Sequence, residues 1–419
     1  MAMPHPATLQ ASPPPSPLAL HLALQTLTWM SSLAALSGLK NGSIPWSPRL
    51  ENAGKALQKN LESADLADFF TAVDGEARSR LAAFSRGVNR YQTAAREARP
   101  PEPPVFWQDG TTRVLDYGTR ANSGNEGAWP ILVVPSLINR GYILDLSEKK
   151  SLMRHLAGQG FRPFLVDWGA PGPEECDFNL TAYICWRLEP AVDEIFDATR
   201  QPPVLLGYCM GGLLTLALAA RRPDRTAALA LLATPWDFHA GQEATIRMLR
   251  SSYPVLEAAI DHWGELPVDI LQAMFTSLEP FLTTNKFRRF AAMKDGSGQA
   301  KNFVALEDWL NDGVALTAPV ARECLFDWYM DNATAKGVWR VDGEAVRPGD
   351  IQAPALVVIP EKDHIVPPQS ASPLADALPN AVAKTVGAGH IGMVAGSRAR
   401  TTLYEPLSLW LNQTLTEIK

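Results

Sequence analysis

Short runs of apolar and β-branched residues alternate with stretches of helical periodicity from residue 105 onward. The runs lie at residues 131–135, 163–167, 204–206, 228–233, 355–359 and 382–386. Strands that are apolar throughout and alternate with helices are typical of a parallel sheet that is buried on both faces. The pattern therefore predicts an α/β fold with a mostly parallel sheet and helices on both faces.

The alternation stops between about residues 237 and 345, where the pattern is helical and tryptophan recurs. A helical stretch of this length between two strands of one sheet predicts an insertion. We expect it to form a cap over the sheet, within one large domain at residues 105–419.

The chain before residue 105 has a different pattern. Residues 1–17 are rich in proline, alanine and serine, which predicts a disordered tail. Residues 18–39 are uncharged and long enough to span a bilayer, but polar side chains such as His21 and Gln25 interrupt them. We therefore expect a helix that packs on protein or on another apolar surface. Residues 18–104 are predicted to form a helical N-terminal region that ends in a proline-rich linker.

Two more helices are predicted within this N-terminal region from the spacing of its apolar side chains. One comprises Leu57, Leu61, Leu66 and Phe69, and the other comprises Ala77, Leu81, Phe84 and Val88.

Composition and charge exclude several classes of function. The chain has 46% apolar and 20% charged residues, which is typical of a globular protein. Its net charge of −6 argues against nucleic acid as the main partner, since phosphate binding needs a basic face. No two of the four cysteines form a CxxC pair, so we predict no metal site and no cofactor. Because no basic residue precedes Lys40, we expect no secretion signal and a cytoplasmic location.

The segment Gly207-Tyr208-Cys209-Met210-Gly211 follows one of the predicted strands and precedes an alanine- and leucine-rich helix. It has the form of the G-x-S-x-G nucleophile elbow of the α/β-hydrolase fold, with cysteine in place of serine. Glycines on either side of the nucleophile allow the sharp turn to close, and the positive end of the helix favours a thiolate. Cys209 is therefore the predicted nucleophile of a catalytic domain with the α/β-hydrolase fold.

The acid and the base of a catalytic triad follow the nucleophile in this fold. Asp363 lies in the loop after the predicted strand 355–359 and is the preferred acid, with Glu361 as the alternative. His390 lies in a glycine-rich loop after the last predicted strand and is the preferred base, while His364 directly follows the acid and is less suited to face it. The spacing predicts that His390 takes the proton of Cys209 and that Asp363 orients the imidazole.

Two backbone N–H groups are expected to stabilise the oxyanion that forms when the thiolate attacks a carbonyl. One belongs to Met210, which follows the nucleophile. The other is expected after the strand at residues 131–135, near Leu137 and Ile138, and we assign it to Ile138.

Six segments carry a resemblance to a known family. They are residues 136–146 (SLINRGYILDL), 164–169 (FLVDWG), 207–212 (GYCMGG), 233–238 (ATPWDF), 363–368 (DHIVPP) and 389–392 (GHIG). Together they make the chain resemble the catalytic subunit of polyhydroxyalkanoate synthases, most closely the short class that works with a second subunit. The likeness extends from about residue 105 to the C-terminus.

The resemblance implies a substrate and a set of partners. The substrate is an (R)-3-hydroxyacyl-CoA thioester, which is polymerised through a thioester on Cys209 with release of CoA. His390 is implied as the base, and Asp363 as a group that helps to activate the incoming hydroxyl. The implied partners are the growing polyester chain or its granule surface, and either a second synthase subunit or another copy of the chain.

Two other functions stay open on the sequence alone. A cysteine hydrolase of the same fold, cleaving an ester, a thioester or the polymer itself, would need the same three residues. A granule-associated protein without catalysis is the third alternative, and the intact set of Cys209, Asp363 and His390 argues against it.

Overall fold

The computed structural model describes residues 13–48, 50–118 and 127–418. The disordered tail predicted for residues 1–17 therefore lies largely outside the described residues. The chain divides into two compact units. The first comprises Met1–Glu97 and Gln272–Glu307, and the second comprises Ala98–Leu271 and Asp308–Lys419. The domain division predicted from the sequence, in which residues 272–307 belong to the cap, stays a prediction.

The first unit is helical. Its core is an aromatic cluster in which Phe287 packs edge-on against Phe84 and Tyr91, with ring centroids 6.0 and 5.7 Å apart. Phe290 stacks on Phe303 at 4.2 Å. These rings come from sequence segments about 200 residues apart, and their burial holds those segments together.

The helices of the chain that precede the sheet differ in detail from the prediction. Leu66 and Phe69 do not share a helix with Leu57 and Leu61, because the helix that contains Leu57 ends at Leu61 and the next helix begins at Leu66. Asp65 caps that next helix, and its carboxylate accepts hydrogen bonds from the N–H groups of Ala67 at 2.7 Å and Asp68 at 3.2 Å. This N-cap satisfies backbone groups that a continuous helix would have bonded internally. The predicted helix at residues 18–39 is likewise divided, at Ala35.

The α-helices within the described residues belong to both units. They are α1 (Leu18–Ala34), α2 (Leu36–Asn41), α3 (Glu51–Leu61), α4 (Leu66–Thr93), α5 (Leu152–Gly158), α6 (Leu180–Ala182), α7 (Glu189–Thr199), α8 (Met210–Arg221), α9 (Glu243–Trp263), α10 (Val268–Leu278), α11 (Leu282–Ala291), α12 (Gly298–Asn311), α13 (Ala318–Arg322), α14 (Pro368–Ala377), α15 (His390–Ala395) and α16 (Glu405–Ile418). Three π-helical segments add to these, at Tyr183–Leu188, Glu323–Met330 and Arg400–Tyr404.

The strands lie in the second unit. They are β1 (Val105–Asp109), β2 (Thr112–Asp116), β3 (Pro130–Val134), β4 (Asp145–Ser147), β5 (Lys150–Ser151), β6 (Arg162–Asp167), β7 (Val204–Tyr208), β8 (Ala228–Leu232), β9 (Glu265–Leu266), β10 (Leu316–Thr317), β11 (Arg340–Val341), β12 (Glu344–Ala345), β13 (Ala355–Pro360) and β14 (Ala381–Val386). The six strands predicted from the sequence are present, each within two residues of its predicted ends.

Eight strands form one sheet in the order β1-β2-β6-β3-β7-β8-β13-β14. The pairs β1–β2 and β2–β6 are antiparallel, and the strands from β6 to β14 are parallel to one another. The predicted mostly parallel sheet with helices on both faces is thus confirmed. Because β7, β13 and β14 are parallel, their carboxyl ends lie at one edge, where α/β proteins place their ligands.

In the part of the chain that the structure describes, every helix is too short or too polar to cross a membrane. The uncharged run at residues 18–39 forms α1 and most of α2, and neither helix is an exception.

Candidate active site

The nucleophile elbow is formed by β7, Cys209 and α8. Cys209 has φ 56° and ψ −126°, a positive φ that a cysteine adopts only under strain. A Cβ atom on Gly207 would lie 2.3 Å from Thr215 Oγ1, and one on Gly211 would lie 2.1 Å from the carbonyl oxygen of Val134. Both flanking glycines are therefore required by close approach of the neighbouring chain. The turn presents a half-buried thiol at the carboxyl edge of the sheet.

Asp363 lies in the loop after β13 and uses both oxygens of its buried carboxylate. Oδ1 accepts hydrogen bonds from the N–H groups of Ile365 and Val366, each at 2.9 Å. Oδ2 lies 2.6 Å from Nδ1 of His390, which begins α15 after β14. The alternative acid, Glu361, and the alternative base, His364, are both exposed to solvent. The structure thus brings Asp363 and His390 together.

His390 connects the acid to the thiol. Burial lowers the pKa of its imidazole, but the negative charge of Cys209 and the hydrogen bonds with Asp363 and Cys209 outweigh burial and raise the pKa to about 10. A histidine with this pKa carries its proton at neutral pH. A protonated His390 beside Cys209 is placed to stabilise a thiolate, the form in which a cysteine attacks a carbonyl.

The two expected oxyanion donors differ in their surroundings. Met210 is the first residue of α8, so its N–H has no acceptor within the helix. The N–H of Ile138 donates instead to Ser136 Oγ at 3.2 Å, and its carbonyl accepts from the N–H of Val314 at 2.9 Å. In this conformation the Ile138 N–H is engaged within its own loop, so its role at the oxyanion stays a prediction.

Sequence comparisons relate this chain to known enzymes. A model described as the N-terminus of poly-beta-hydroxybutyrate polymerase (PhaC) matches residues 100–156, and one described as the alpha/beta hydrolase fold matches residues 129–396. The poly(3-hydroxyalkanoate) polymerase subunit PhaC of Haloarcula marismortui is 30% identical over 321 residues, which cover 74% of this chain and 68% of the relative. Its counterpart in Allochromatium vinosum is 30% identical over 288 residues, covering 68% of this chain and 81% of the relative.

The chain belongs to the poly(3-hydroxyalkanoate) polymerase family. Another relative, the PhaC subunit of Haloferax mediterranei, is 30% identical over 73% of this chain. The matched region spans 63% of that relative's length. Membership in the polymerase family fits a cysteine on the elbow, since the predicted reaction passes through a thioester.

Tyr208 is a side chain near the site of this polymerase-family protein that was not predicted from the sequence. Tyr208 lies against the ring of His390, with centroids 5.2 Å apart, and its hydroxyl donates to the His390 carbonyl at 3.3 Å. Its position directly before Cys209 in the motif is the sequence feature that could have marked it as part of the site.

Tyr329 and Cys324 also lie within electrostatic range of Cys209. Burial and the negative charge of Cys209 raise the pKa of Tyr329, and burial and neighbouring acidic groups including Cys209 raise the pKa of Cys324. Both belong to the π-helix Glu323–Met330, and local insertions of this kind often occur at functional sites. No sequence motif marks them, because their position near Cys209 depends on the tertiary fold.

Proposed function

We propose that this chain is a polyhydroxyalkanoate synthase, an acyltransferase that polymerises (R)-3-hydroxyacyl-CoA through a thioester on Cys209 and releases CoA. The observation that carries the proposal is the strained Cys209 at the elbow in electrostatic contact with the His390–Asp363 pair, in a chain of the polymerase family. Relatives named poly(3-hydroxyalkanoate) polymerase support the choice of substrate class.

The first step of the proposed reaction acylates the enzyme. The Cys209 thiolate attacks the thioester carbonyl, and the backbone N–H of Met210 stabilises the oxyanion, assisted by that of Ile138 once the loop releases it. The carbon–sulfur bond to CoA then breaks. The CoA thiolate takes the proton of the His390 imidazolium and leaves as the free thiol.

The second step transfers the acyl group to a hydroxyl. Acylation removes the negative charge and the hydrogen bond of Cys209, two of the contributions that raise the pKa of His390. The imidazole pKa then falls, so His390 changes from an acid into a base for the incoming 3-hydroxyl. Asp363 keeps the proton of Nδ1 in place and thereby directs Nε2 toward the reacting atoms. The hydroxyl oxygen forms the new ester bond, and the sulfur of Cys209 is released.

The proposal extends to location and partners. We infer that the chain works in the cytoplasm at the surface of the polyester it makes, with a second synthase subunit or another copy of itself. The exposed side chains of Leu22, Leu27 and Met30 on the uncharged helix α1 support contact with an apolar surface.

A substrate experiment tests the proposed function directly. Purified protein is incubated with 3-hydroxybutyryl-CoA, alone and with a candidate partner subunit, while free CoA and insoluble polyester are both measured. We expect CoA and polymer to appear together. Release of CoA without polymer would show a hydrolase, and no release of CoA under either condition would refute the acyltransferase.

A matched pair of cysteine variants tests the site. Cys209→Ala should abolish covalent labelling by the acyl group and leave the thermal melting curve unchanged. Cys176→Ala removes an exposed free thiol and should be labelled like the wild type. Labelling that persists in Cys209→Ala would mean that another residue is the nucleophile.

A further inference from the structure

Four side chains from other parts of the chain donate hydrogen bonds to backbone carbonyls in and around α15, the helix that begins with His390. Arg398 bonds the carbonyl of Gly387 at 3.1 Å, Tyr208 that of His390 at 3.3 Å, Tyr404 that of Val394, and Lys150 that of Gly396. Glycines at 387, 389, 392 and 396 make this segment flexible by composition. The hydrogen bonds that these side chains donate to its carbonyls therefore restrict the backbone of this glycine-rich segment.

Tyr208 differs from the other three donors in what it joins. It is the last residue of β7 and directly precedes Cys209, so it belongs to the strand that carries the nucleophile. Its hydroxyl reaches the main chain of the residue that carries the base, and its ring lies 5.2 Å from the imidazole at an interplanar angle of 31°. One side chain thus spans from the backbone of the nucleophile strand to the backbone and ring of His390.

The surroundings of Tyr208 favour the protonated form of its hydroxyl. Burial raises its pKa well above the ordinary value, and the negative charges of Cys209 and Asp363 raise it further. The phenol therefore remains a hydrogen-bond donor to the His390 carbonyl. Tyr208 is almost completely buried, so water does not compete for that carbonyl on the side of the phenol.

We propose that Tyr208 is a positioning residue that sets the distance and the angle between the His390 imidazole and the Cys209 thiolate. The proposal rests on the roles assigned above to Cys209 and His390. Catalytic groups lose much of their effect when they are displaced by about 1 Å, so a donor that joins the two backbones acts on the rate although it never touches substrate.

The test compares two substitutions that each remove one buried phenolic hydroxyl. Tyr208→Phe keeps the ring and deletes the bond to His390. Tyr117→Phe is the matched control, because the buried Tyr117 hydroxyl donates to Asp145 Oδ2 at 3.0 Å in the same unit. Two quantities are measured. One is the rate at which iodoacetamide alkylates Cys209 at neutral pH, followed on its peptide by mass spectrometry, and the other is steady-state CoA release.

We expect Tyr208→Phe to lower kcat roughly three- to ten-fold with KM unchanged, as the loss of one hydrogen bond implies. Alkylation of Cys209 should slow by a similar factor, because a displaced imidazolium stabilises the thiolate less. Tyr117→Phe should alter neither rate. Equal alkylation rates in the two variants would overturn the proposal, as would a Tyr208→Phe effect on KM alone.

The alkylation experiment keeps this inference separate from the proposed function. It needs no substrate, so it reports on the Cys209–His390 pair even if the protein forms no polymer. A slower alkylation in Tyr208→Phe, with no polymer from the wild type, would retain Tyr208 as a positioning residue and refute the synthase.

Discussion

Replacing Asp363 by asparagine is expected to remove most of the acyl transfer while the fold is kept. The Asp363 carboxylate serves two sets of donors, the N–H groups of Ile365 and Val366 on Oδ1 and the Nδ1 of His390 on Oδ2. An asparagine has one oxygen and one NH₂ group, so it can accept from only one of these sets. The two backbone donors are fixed by the loop, and we expect the amide oxygen to face them.

The size of the effect follows from this geometry. With the NH₂ group facing Nδ1, the proton of the imidazole moves to Nε2, the nitrogen that faces Cys209. A histidine in that tautomer cannot accept a proton there, and the equivalent change in the Ser-His-Asp proteases lowers kcat about 10⁴-fold. The stability cost is smaller, about 1.5–3 kcal/mol for the lost hydrogen bond between His390 and a charged group. Without the carboxylate, the pKa of His390 also falls, since Asp363 helps to raise it.

The assay is a rapid-quench measurement of CoA released from 3-hydroxybutyryl-CoA in the first turnover, with a thermal melt of each variant. Glu361→Gln is the control, because Glu361 is the exposed carboxylate of the same loop. We expect a loss of about 10³- to 10⁴-fold in Asp363→Asn and none in Glu361→Gln. The reasoning fails if Asp363→Asn keeps its rate within ten-fold of the wild type, or if Glu361→Gln loses as much.

Three further predictions concern pH and the fold. Because the pKa of His390 is raised to about 10, the rate of CoA release in the first turnover should stay level through neutral pH and decline as the pH rises through about 10; a decline as the pH rises through about 6.5 would contradict the raised pKa of His390. Arg187→Met should destabilise the protein by about 3–5 kcal/mol in urea unfolding, since this buried guanidinium contacts three carboxylates, one of them buried; Arg200→Met, which breaks an exposed pair, should cost less than about 1 kcal/mol. Gly207→Ala should lower the melting temperature sharply or prevent folding because its Cβ would overlap the next helix, whereas Gly158→Ala, with nothing within 4 Å of the added atom, should melt like the wild type.

The elbow could be read from consecutive residues because its constraints are local. The positive φ of Cys209, the two glycines and the strand-to-helix change all involve residues 204–221. The strands could be located in the same way, since a strand buried on both faces shows itself as an unbroken apolar run. The order nucleophile, acid, base then placed Asp363 and His390 after the correct strands.

The sequence pattern predicted the structure less well where a polar side chain forms a hydrogen bond with the backbone, as in a helix N-cap. The apolar spacing suggested one helix through Leu57 and Phe69, and the Asp65 cap divides it. The N–H of Ile138 was assigned to the oxyanion from the fold, and the Ser136 hydroxyl takes it in this conformation. In both cases a short polar side chain binds a nearby backbone group, which a count of apolar residues does not register.

By itself, the sequence determined the type of fold and predicted the nucleophile and the loops from which its partners come, because these depend on the chemistry of neighbouring residues. Only the tertiary structure decided that Asp363 rather than Glu361 meets His390, that the pKa of His390 is raised, and that Tyr208 lies against its ring. It also brings Tyr329 and Cys324 near enough to Cys209 for the charge of Cys209 to add to the effect of burial on their pKa values. Those contacts join residues up to 182 positions apart, such as Tyr208 and His390. They arise from the order in which the parallel strands pair, and no short stretch of sequence contains that order.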